Sequence, residues 1–296
     1  MAHIRSTNRD LVFDIINNTR LLLFVVIIVF PLVNIVSRSF SSTEAVVSGR
    51  VWLVPVEPTF YAYETVFKNQ QVWTGYANSI FYASVGTGIN LALTITAAYS
   101  LSRRDFFGRN AVMGIFVFTL LFNGGLIPTY LLVRDLGMLN TRWALLLPNA
   151  VVVYNMIVTR TFFQTQIPYE LLEASQLDGC SDFRFFWSIV LPLSGPIVAV
   201  IALWYAVQHW NSYFHALLFI RNERLFPLQI VLRNILLENR VENLDQVALE
   251  DYARREGLAQ LLKYALIVVA SVPVLMLYPF VQKYFVRGVM IGSLKG

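Results

Sequence analysis

A short polar stretch, EASQLDGCSDFRFFWSIVLP at positions 173–192, carries the side chains that are best suited to chemistry. It contains three acids, Glu173, Asp178 and Asp182, and its first basic residue is Arg184. Carboxylates form charge-assisted hydrogen bonds with basic groups, and such bonds are stronger than those between neutral groups. The chemistry that this stretch indicates is the recognition of a basic surface.

Patterns for catalysis, metal binding or nucleotide binding do not occur in the sequence. The single cysteine, Cys180, excludes an intramolecular disulfide and a zinc site built on cysteine pairs. The histidines His3, His209 and His215 lack the spacing of metal ligands, and we interpret them as ordinary polar residues. A phosphate-binding loop needs G-x-x-x-x-G-K-[ST], and no Gly-Lys pair occurs. We therefore predict that the protein is not an enzyme and that this chain holds no metal and no cofactor.

The acids belong to a predicted short helix over about residues 169–179. Pro168 suits the first turn of a helix, and Glu170 and Glu173 suit the positive end of its dipole. Gly179 is expected to end the helix. Such a helix can lie in a groove on another protein or on lipid headgroups. Anionic lipid would repel these acids, so the sequence favours a basic protein partner.

The composition indicates that membrane helices position this stretch. Hydrophobic residues make up 56% of the chain and charged residues 14%, whereas soluble domains average roughly 45–50% and about 25%. A bilayer crossing needs about 20 mostly apolar residues. Six segments without Asp, Glu, Lys or Arg approach this length, at about 21–36, 78–101, 111–133, 143–159, 186–208 and 264–282. We predict an all-α integral membrane protein with six transmembrane helices.

The first of these segments has a second interpretation. Arg20, the apolar run that follows it, and Ser37 and Ser39 also fit a cleaved signal peptide. The five further spans favour an uncleaved first helix.

The distribution of basic residues predicts the orientation. If both termini are cytosolic, the loop SRRDFFGRN lies inside and the short loop 134–142, with two arginines, lies outside. The predicted parts are a cytosolic N-terminal segment (1–20), a transmembrane domain (21–286) with outer loops at 38–77 and 211–260, and a cytosolic tail (287–296). The acidic helix is then cytosolic. The net charge of +5 is scattered along the chain, which argues against a nucleic-acid partner.

The polar stretch resembles the EAA motif of permease subunits in binding-protein-dependent ABC importers. The family pattern is E-A-A, three residues, G, nine residues, I-x-L-P, and only Ser175, in place of the second alanine, departs from it. The segments GGLIPTYLLVRDLGMLNTRWALLLP and WNSYFHALLFIRNERLFPLQIVLR resemble the carbohydrate-uptake branch. Within that branch the resemblance is to permeases for oligosaccharides and polyuronide fragments, including the second permease subunit of the alginate importer.

The resemblance implies a type I ABC importer permease fold with a short cytosolic coupling helix, which docks into a cleft of an ATPase subunit. The coupling residues would be Glu173, Ala174, Ser175, Asp178, Gly179, Ile189, Leu191 and Pro192. Glu173 would face basic residues of the cleft, while Ala174 and Ser175 would permit close approach. Gly179 would make the turn, and Ile189, Leu191 and Pro192 would anchor the loop to the fifth span.

The resemblance also implies the partners and the function. The partners would be a second permease in a heterodimer, two ATP-binding subunits that hold ATP and Mg, and an extracytoplasmic sugar-binding protein, at the bacterial inner membrane. The function would be ATP-driven import of an oligosaccharide, with alginate or polyuronide fragments as candidates, by alternating access. An ion-coupled secondary sugar transporter is the alternative, but it would need acids or histidines at membrane depth, and the six spans contain none. A channel or a structural scaffold would not need the acidic helix.

Polar and aromatic residues near the spans are candidates for a sugar path. They are Asn123, Asn149, Tyr154, Asn155, Trp210, Asn211 and Tyr213. Aromatic faces can stack on sugar rings, but a belt of aromatic side chains at the outer membrane interface, in contact with lipid, also explains Trp210 and Tyr213. Polar contacts between helices explain the asparagines within the spans equally well.

Two further segments have open interpretations. The apolar spacing in RLFPLQIVLRNILL, within 221–260, fits a helix on the membrane surface or against a partner. The resemblance implies that a large outer loop here reaches the sugar-binding protein. The segment KYFVRGVMIGSLKG at 283–296 is either a disordered end or, as the resemblance implies, a tail buried between the ATPase subunits.

Overall fold

A computed structural model describes residues 8–238 and 249–293, and these two ranges are almost entirely helical and contain no β-strand. The α-helices are α1 (Asn8–Ser39), α2 (Thr43–Val47), α3 (Tyr61–Lys68), α4 (Gln70–Ser102), α5 (Arg109–Leu121), α6 (Leu126–Asp135), α7 (Trp143–Leu146), α8 (Val153–Gln166), α9 (Tyr169–Leu177), α10 (Asp182–Phe185), α11 (Leu191–Leu193), α12 (Gly195–Trp210), α13 (Phe214–Phe219), α14 (Leu228–Glu238) and α15 (Leu249–Ser293). A π-helical turn, Phe186–Val190, joins α10 to α11, and a 3-10 turn, Glu223–Leu225, precedes α14. Residues 239–248 of the predicted outer loop and 294–296 of the predicted tail lie outside the described residues, and so do the side chains of the tail that were expected to be buried.

Three helical segments within the described ranges are long and apolar enough to cross a membrane without a break. They are Leu11–Ser39, Gln70–Ser102 and Gly257–Pro279. They contain the first, second and sixth segments predicted from the sequence. The first is the most apolar, with a mean hydropathy of 2.5, and the most apolar window of this segment buries no side chain within the chain. Lipid or another protein must therefore cover it.

The third and fifth predicted segments are bent pairs of helices. Helices α5 and α6 meet at 114°, and the arm Asp182–Leu193 meets α12 at 79°. Gly125 between α5 and α6 has φ +87°, which an L side chain rarely adopts. At the second bend, Pro192 and Pro196 each lack the N–H that a continuous helix would use.

The fourth predicted segment, 143–159, is not one continuous helix. Helix α7 ends at Leu146 and α8 begins at Val153, with Pro148 in the irregular stretch between them. A residue before proline is disfavoured in the helical conformation, which explains the interruption. Length and composition therefore support three spans, or up to five if each bent pair is one span, among the described residues. Six crossings stay a prediction.

The chain divides into two compact units. The first comprises residues up to Asn69 and Asn234–Ser271. Within it, Arg38 donates a hydrogen bond to the Tyr264 hydroxyl at 2.8 Å and lies over the same ring at 5.3 Å. Gly257 of α15 lies against Thr43 and Val47, so close that a side chain there would displace α2.

The second unit comprises Gln70–Arg233 and residues from Val272 onward. Helix α4 lies at its centre and packs against α8 and α12. Buried polar groups join these helices: Thr94 and Tyr205 share a hydrogen bond of 2.7 Å, and the Tyr205 hydroxyl accepts the Val152 N–H at 3.2 Å. The Asn90 amide donates to the Asn149 carbonyl at 3.1 Å. Side chains of α4 and α12 thus satisfy backbone groups that the break between α7 and α8 frees, as a membrane interior requires.

His209 differs from the interpretation made from the sequence. Helix α12 extends to Trp210, and the His209 side chain is buried, with Nε2 3.3 Å from the Asn90 Oδ1. Its ring lies against Gly86, where a Cβ atom would overlap it. The predicted span ended at Gln208, one residue short, so the sequence analysis did not count this histidine among the buried polar groups.

Several short helices occupy the predicted outer loops. Helices α2 and α3 lie within 38–77, and α13 and α14 within 211–260. Helix α14 covers most of the segment whose apolar spacing predicts a helix, and Leu228, Ile230 and Val231 are buried. The loop before α14 is fixed to α4, because Asn78 donates to the Arg224 and Phe226 carbonyls at 2.8 and 3.0 Å.

We expect Gly86→Ala to destabilise the protein and Gly88→Ala not to. The added methyl at position 86 would overlap the His209 ring, whereas nothing lies within 4 Å of a Cβ at position 88. Overpacking costs about 1–3 kcal/mol, while alanine is intrinsically about 1 kcal/mol better than glycine in a helix. Thermal unfolding of the purified protein in detergent should therefore show a lower midpoint for Gly86→Ala only. Equal midpoints for the two variants would contradict the close contact with His209.

Candidate functional site

Helix α9 presents two distinct faces. Glu170, Glu173, Ala174 and Leu177 are exposed and recur at the spacing of one helix face. Leu177 is 90% exposed, an unusual position for a leucine that is not covered by another molecule. The opposite face buries Leu172 against other parts of the chain. The exposed face therefore combines acidic, small and apolar groups, which suits a protein groove.

Ser175 lies on the buried face, not on the face that would approach a partner. Its side chain is 6% exposed, and its hydroxyl donates to the Leu172 carbonyl at 2.7 Å. The expectation that Ala174 and Ser175 act together is therefore wrong in its geometry: Ala174 is exposed and Ser175 packs inward. A small residue at position 175 permits close approach of α9 to the chain itself.

The turn after α9 depends on Gly179. Its φ is +75°, and a Cβ at this position would meet nothing within 4 Å. The turn is closed by backbone hydrogen bonds from Gly179 N to the Gln176 carbonyl at 3.0 Å and from Cys180 N to the Ser175 carbonyl at 2.9 Å. Asp178, whose side chain is exposed, is the last residue before this turn. The glycine is therefore needed for its backbone conformation and not for space.

An arm of helix from α10 through the π-helical turn to α11 connects this turn to the bend before α12. Phe185, Phe186 and Val190 are buried in one cluster with Leu172, and Ile189 and Leu191 pack against that cluster. Pro192 is exposed. Sequence reasoning missed Val190, which is fully buried, because a π-helical turn shifts which residues face inward.

The loop after α4 lies beside α9 and carries three arginines. A cleft of about 550 Å³ separates them, lined by Arg104, Arg109, Gln164, Tyr169 and Glu173 among others. Arg103 forms two hydrogen bonds with the Asp105 carboxylate, at 2.8 and 2.6 Å. These bonds raise the pKa of Arg103 and lower the pKa of Asp105. The stabilisation from this pair is therefore present above the ordinary pKa of an aspartate, about 4, and is lost only as the pH falls through the lowered value.

The residues predicted for a sugar path are not all in one place. Asn155 and Trp210 are buried, at 5% and 6% exposure, and Tyr213 is half-buried within a core cluster. Asn123 accepts the Gly125 N–H at 2.8 Å and so shapes the bend between α5 and α6. The Asn149 side chain is exposed.

Tyr154 and Asn211 are exposed, and the structure adds two residues to them. The Tyr154 ring stacks on the Trp204 ring, with centroids 6.0 Å apart and planes at 28°. Trp204, Gln208 and Asn211 follow one another at spacings of four and three residues along α12, and all three are exposed. This spacing was visible in the sequence, but the pairing with Tyr154 depends on how α8 and α12 pack.

Apolar helices with two sharp bends, and an acidic helix packed beside the loop that follows α4, define a helical membrane permease. Residues 5–291 match the family described as "Binding-protein-dependent transport system inner membrane component". The chain belongs to this family, whose members are membrane components of ABC transporters and not enzymes.

Relatives with a described role are sugar permeases. The chain is 40% identical over 288 residues to the polygalacturonan/rhamnogalacturonan transport system permease protein YtcP of Bacillus subtilis, covering 97% of this chain and 100% of the relative. It is 40% identical to protein LplC of the same organism, covering 99% and 98%. It is 26% identical to the maltodextrin permease MalD of Streptococcus pneumoniae, covering 92% and 91%.

One solved structure gives the same result for the fold. A chain of a bacterial ABC transporter involved in the import of the acidic polysaccharide alginate superposes with a TM-score of 0.82 at 35% identity, covering 96% of this chain and 100% of that chain. The all-α type I permease fold predicted from the sequence is confirmed, and so is membership of the carbohydrate-importer permeases. The protein is a permease subunit of a sugar or oligosaccharide ABC importer of the inner membrane.

We expect Gly179→Val to impair transport far more than Gly179→Asn. Both side chains have room, so the difference reports the backbone conformation alone. The left-handed conformation costs most residues roughly 1–2 kcal/mol, whereas asparagine adopts it more readily. Sugar uptake by cells with equal amounts of each variant in the membrane checks this. Equal uptake by the two variants would show that the turn after α9 is not needed in this conformation.

Proposed function

We propose that this permease imports an oligosaccharide by alternating access, driven by ATP hydrolysis on two separate ATP-binding subunits. A second permease completes the path, and an extracytoplasmic sugar-binding protein delivers the cargo. ATP and Mg are held by the ATP-binding subunits. Both termini of this chain and helix α9 lie on the cytosolic side. The observation that carries the proposal is the outward face of α9, which is acidic, small and apolar in turn.

The geometry of α9 supports its role as the coupling helix. Glu173 and Ala174 are adjacent on the exposed face, and Leu177 projects from the same face one turn later. Glu173 pairs with a basic group of the ATP-binding subunit, Ala174 lets the two backbones approach, and Leu177 enters an apolar pocket. Asp178 and Gly179 set the angle at which the chain leaves the helix. Ser175, Ile189, Leu191 and Pro192 serve the attachment of α9 to the permease.

The alternative, an ion-coupled sugar transporter, has one observation in its favour. His209 is a buried titratable group beside α4. It contacts the neutral amide of Asn90, and no printed ion pair of the described residues involves a side chain of α12. Proton or ion coupling needs groups that exchange charge along a path. Uptake into vesicles separates the two, because the proposed importer stops when ATP or the binding protein is withheld and continues when ion gradients are abolished.

We expect Glu173→Lys to separate the permease from its ATP-binding subunits. The substitution places like charges together in a contact that is otherwise an ion pair, and such juxtaposition costs several kcal/mol at an interface. Copurification from membranes should show the ATP-binding subunit with the native chain and not with Glu173→Lys. Gln176→Lys, on the flank of the same helix, is the control and should retain it. Equal recovery with both variants would contradict docking through the exposed face.

The cargo that we propose is an acidic oligosaccharide such as a fragment of alginate or another polyuronide. Two similar proteins have names that refer to polygalacturonan/rhamnogalacturonan and to alginate, at 40% and 35% identity. Tyr154 and Trp204 offer stacked aromatic faces, and Gln208 and Asn211 offer amides that can donate to hydroxyl and carboxylate oxygens. The exposed parts of this stripe line the path, together with Asn123 and Asn149. Asn155, Trp210 and Tyr213 support it from behind.

We expect Trp204→Ala to lower the rate of uptake and Trp204→Phe to retain most of it. The loss follows from the stacking surface, which an aromatic ring of another type largely replaces. Phe118→Ala is the control, because Phe118 is also an exposed ring stacked on a neighbour, Phe122 at 4.6 Å. Uptake of uronide oligomers should exceed uptake of neutral oligomers of equal length. Preference for the neutral series would reject the acidic cargo, and equal uptake by Trp204→Ala and Phe118→Ala would reject the aromatic stripe.

A further inference from the structure

The loop that follows α4 contacts both flanks of helix α9. Arg104 lies over the ring of Tyr169, the first residue of α9, at 5.3 Å from its centroid. Arg103 forms an ion pair with Asp182, just beyond the turn that ends α9, at 3.1 Å. Two adjacent arginines therefore hold the helix at its beginning and at its end.

Arg103 is fixed from several directions. Its side chain is only 11% exposed, and besides Asp105 and Asp182 it donates to the Tyr99 hydroxyl at 3.0 Å. Its own carbonyl accepts a hydrogen bond from Arg109 at 3.0 Å. A guanidinium held by three acceptors and placed at the end of α4 cannot follow Asp182 without moving that end of the helix.

The end of α4 is in turn joined to the rest of the unit. Arg160 of α8 donates to the Leu101 carbonyl at 2.9 Å, and the Tyr99 ring lies 4.8 Å from the Phe186 ring. Helix α4 continues from here to its packing contacts with α12, whose residue Trp204 belongs to the exposed aromatic stripe. The loop after α4 thus lies between the outward helix α9 and the helices that carry the candidate sugar path.

We propose that Arg103 and Arg104 form a second link between α9 and α4, which transmits the displacement of α9 to the core of the permease beside the covalent route through the π-helical arm. This inference rests on the proposed function of α9 as the coupling helix. Arg103 and Arg104 are positioning residues, since they act through Asp182 and Tyr169 and reach neither cargo nor nucleotide. Without them α9 still docks and ATP is still hydrolysed, but less of each displacement reaches α4.

The test uses the complete importer in liposomes with its binding protein. The variants are Asp182→Asn, Tyr169→Leu and the two combined. Asp135→Asn, which removes an exposed carboxylate from its pair with Arg134 at 2.9 Å, is the matched control for charge. Tyr169→Phe is the control that keeps the ring. The readouts are recovery of the ATP-binding subunits, basal ATP hydrolysis, and sugar transported per ATP hydrolysed.

The Asp182 carboxylate is 67% exposed, and exposed pairs are worth little to stability, so the complex should assemble and hydrolyse ATP at the basal rate. Sugar transported per ATP should fall about two- to fivefold in Asp182→Asn, further in the double variant, and not in either control. An unchanged ratio in the double variant, an equal fall in the controls, or loss of the ATP-binding subunits would overturn the proposal. Absence of ATP-dependent uptake by the native complex would instead reject the proposed function itself.

Discussion

The burial of Leu172 in the apolar cluster at the end of α4 is the interaction on which the rest of the structure depends. That cluster also contains Leu101, Phe163, Phe185 and Val190, so helices α4, α8, α9 and α10 meet at one place. Fully burying a leucine contributes about 1.5–3 kcal/mol, and a helix as short as α9 would be marginal in water without such packing. The contact that stabilises α9 therefore also joins it to the helices beside it, and α9 cannot be displaced without disturbing them.

Polar contacts serve a different purpose deeper in the apolar helices. The breaks near Pro148 and between α11 and α12 free backbone groups that lipid cannot satisfy. Tyr205 accepts the freed N–H of Val152, and Asn90 donates to the carbonyl of Asn149. These side chains allow bent and interrupted helices to persist, and such helices leave the aromatic pair Tyr154 and Trp204 exposed beside them.

The sequence was sufficient for the local features and insufficient for the tertiary ones. Helix α9, its glycine turn and the family motif follow from residues close together in the chain, where capping and backbone preferences decide. The inward position of Ser175 could have been expected from its spacing of three residues from Leu172. The stacking of Tyr154 on Trp204, the burial of His209 against Gly86 and the contacts of Arg103 join residues far apart in sequence. Hydropathy carries no information about such pairings.

Site-specific crosslinking tests the central claim, that the exposed face of α9 docks on an ATP-binding subunit, most directly. Cys180 is the only cysteine, so Cys180→Ser gives a background in which Glu173→Cys or Leu177→Cys carries the single thiol. In sealed, right-side-out membrane vesicles the account predicts crosslinks from both positions to the ATP-binding subunit and no labelling by an impermeant reagent from outside. Labelling from outside, or crosslinks to lipid alone, would contradict it.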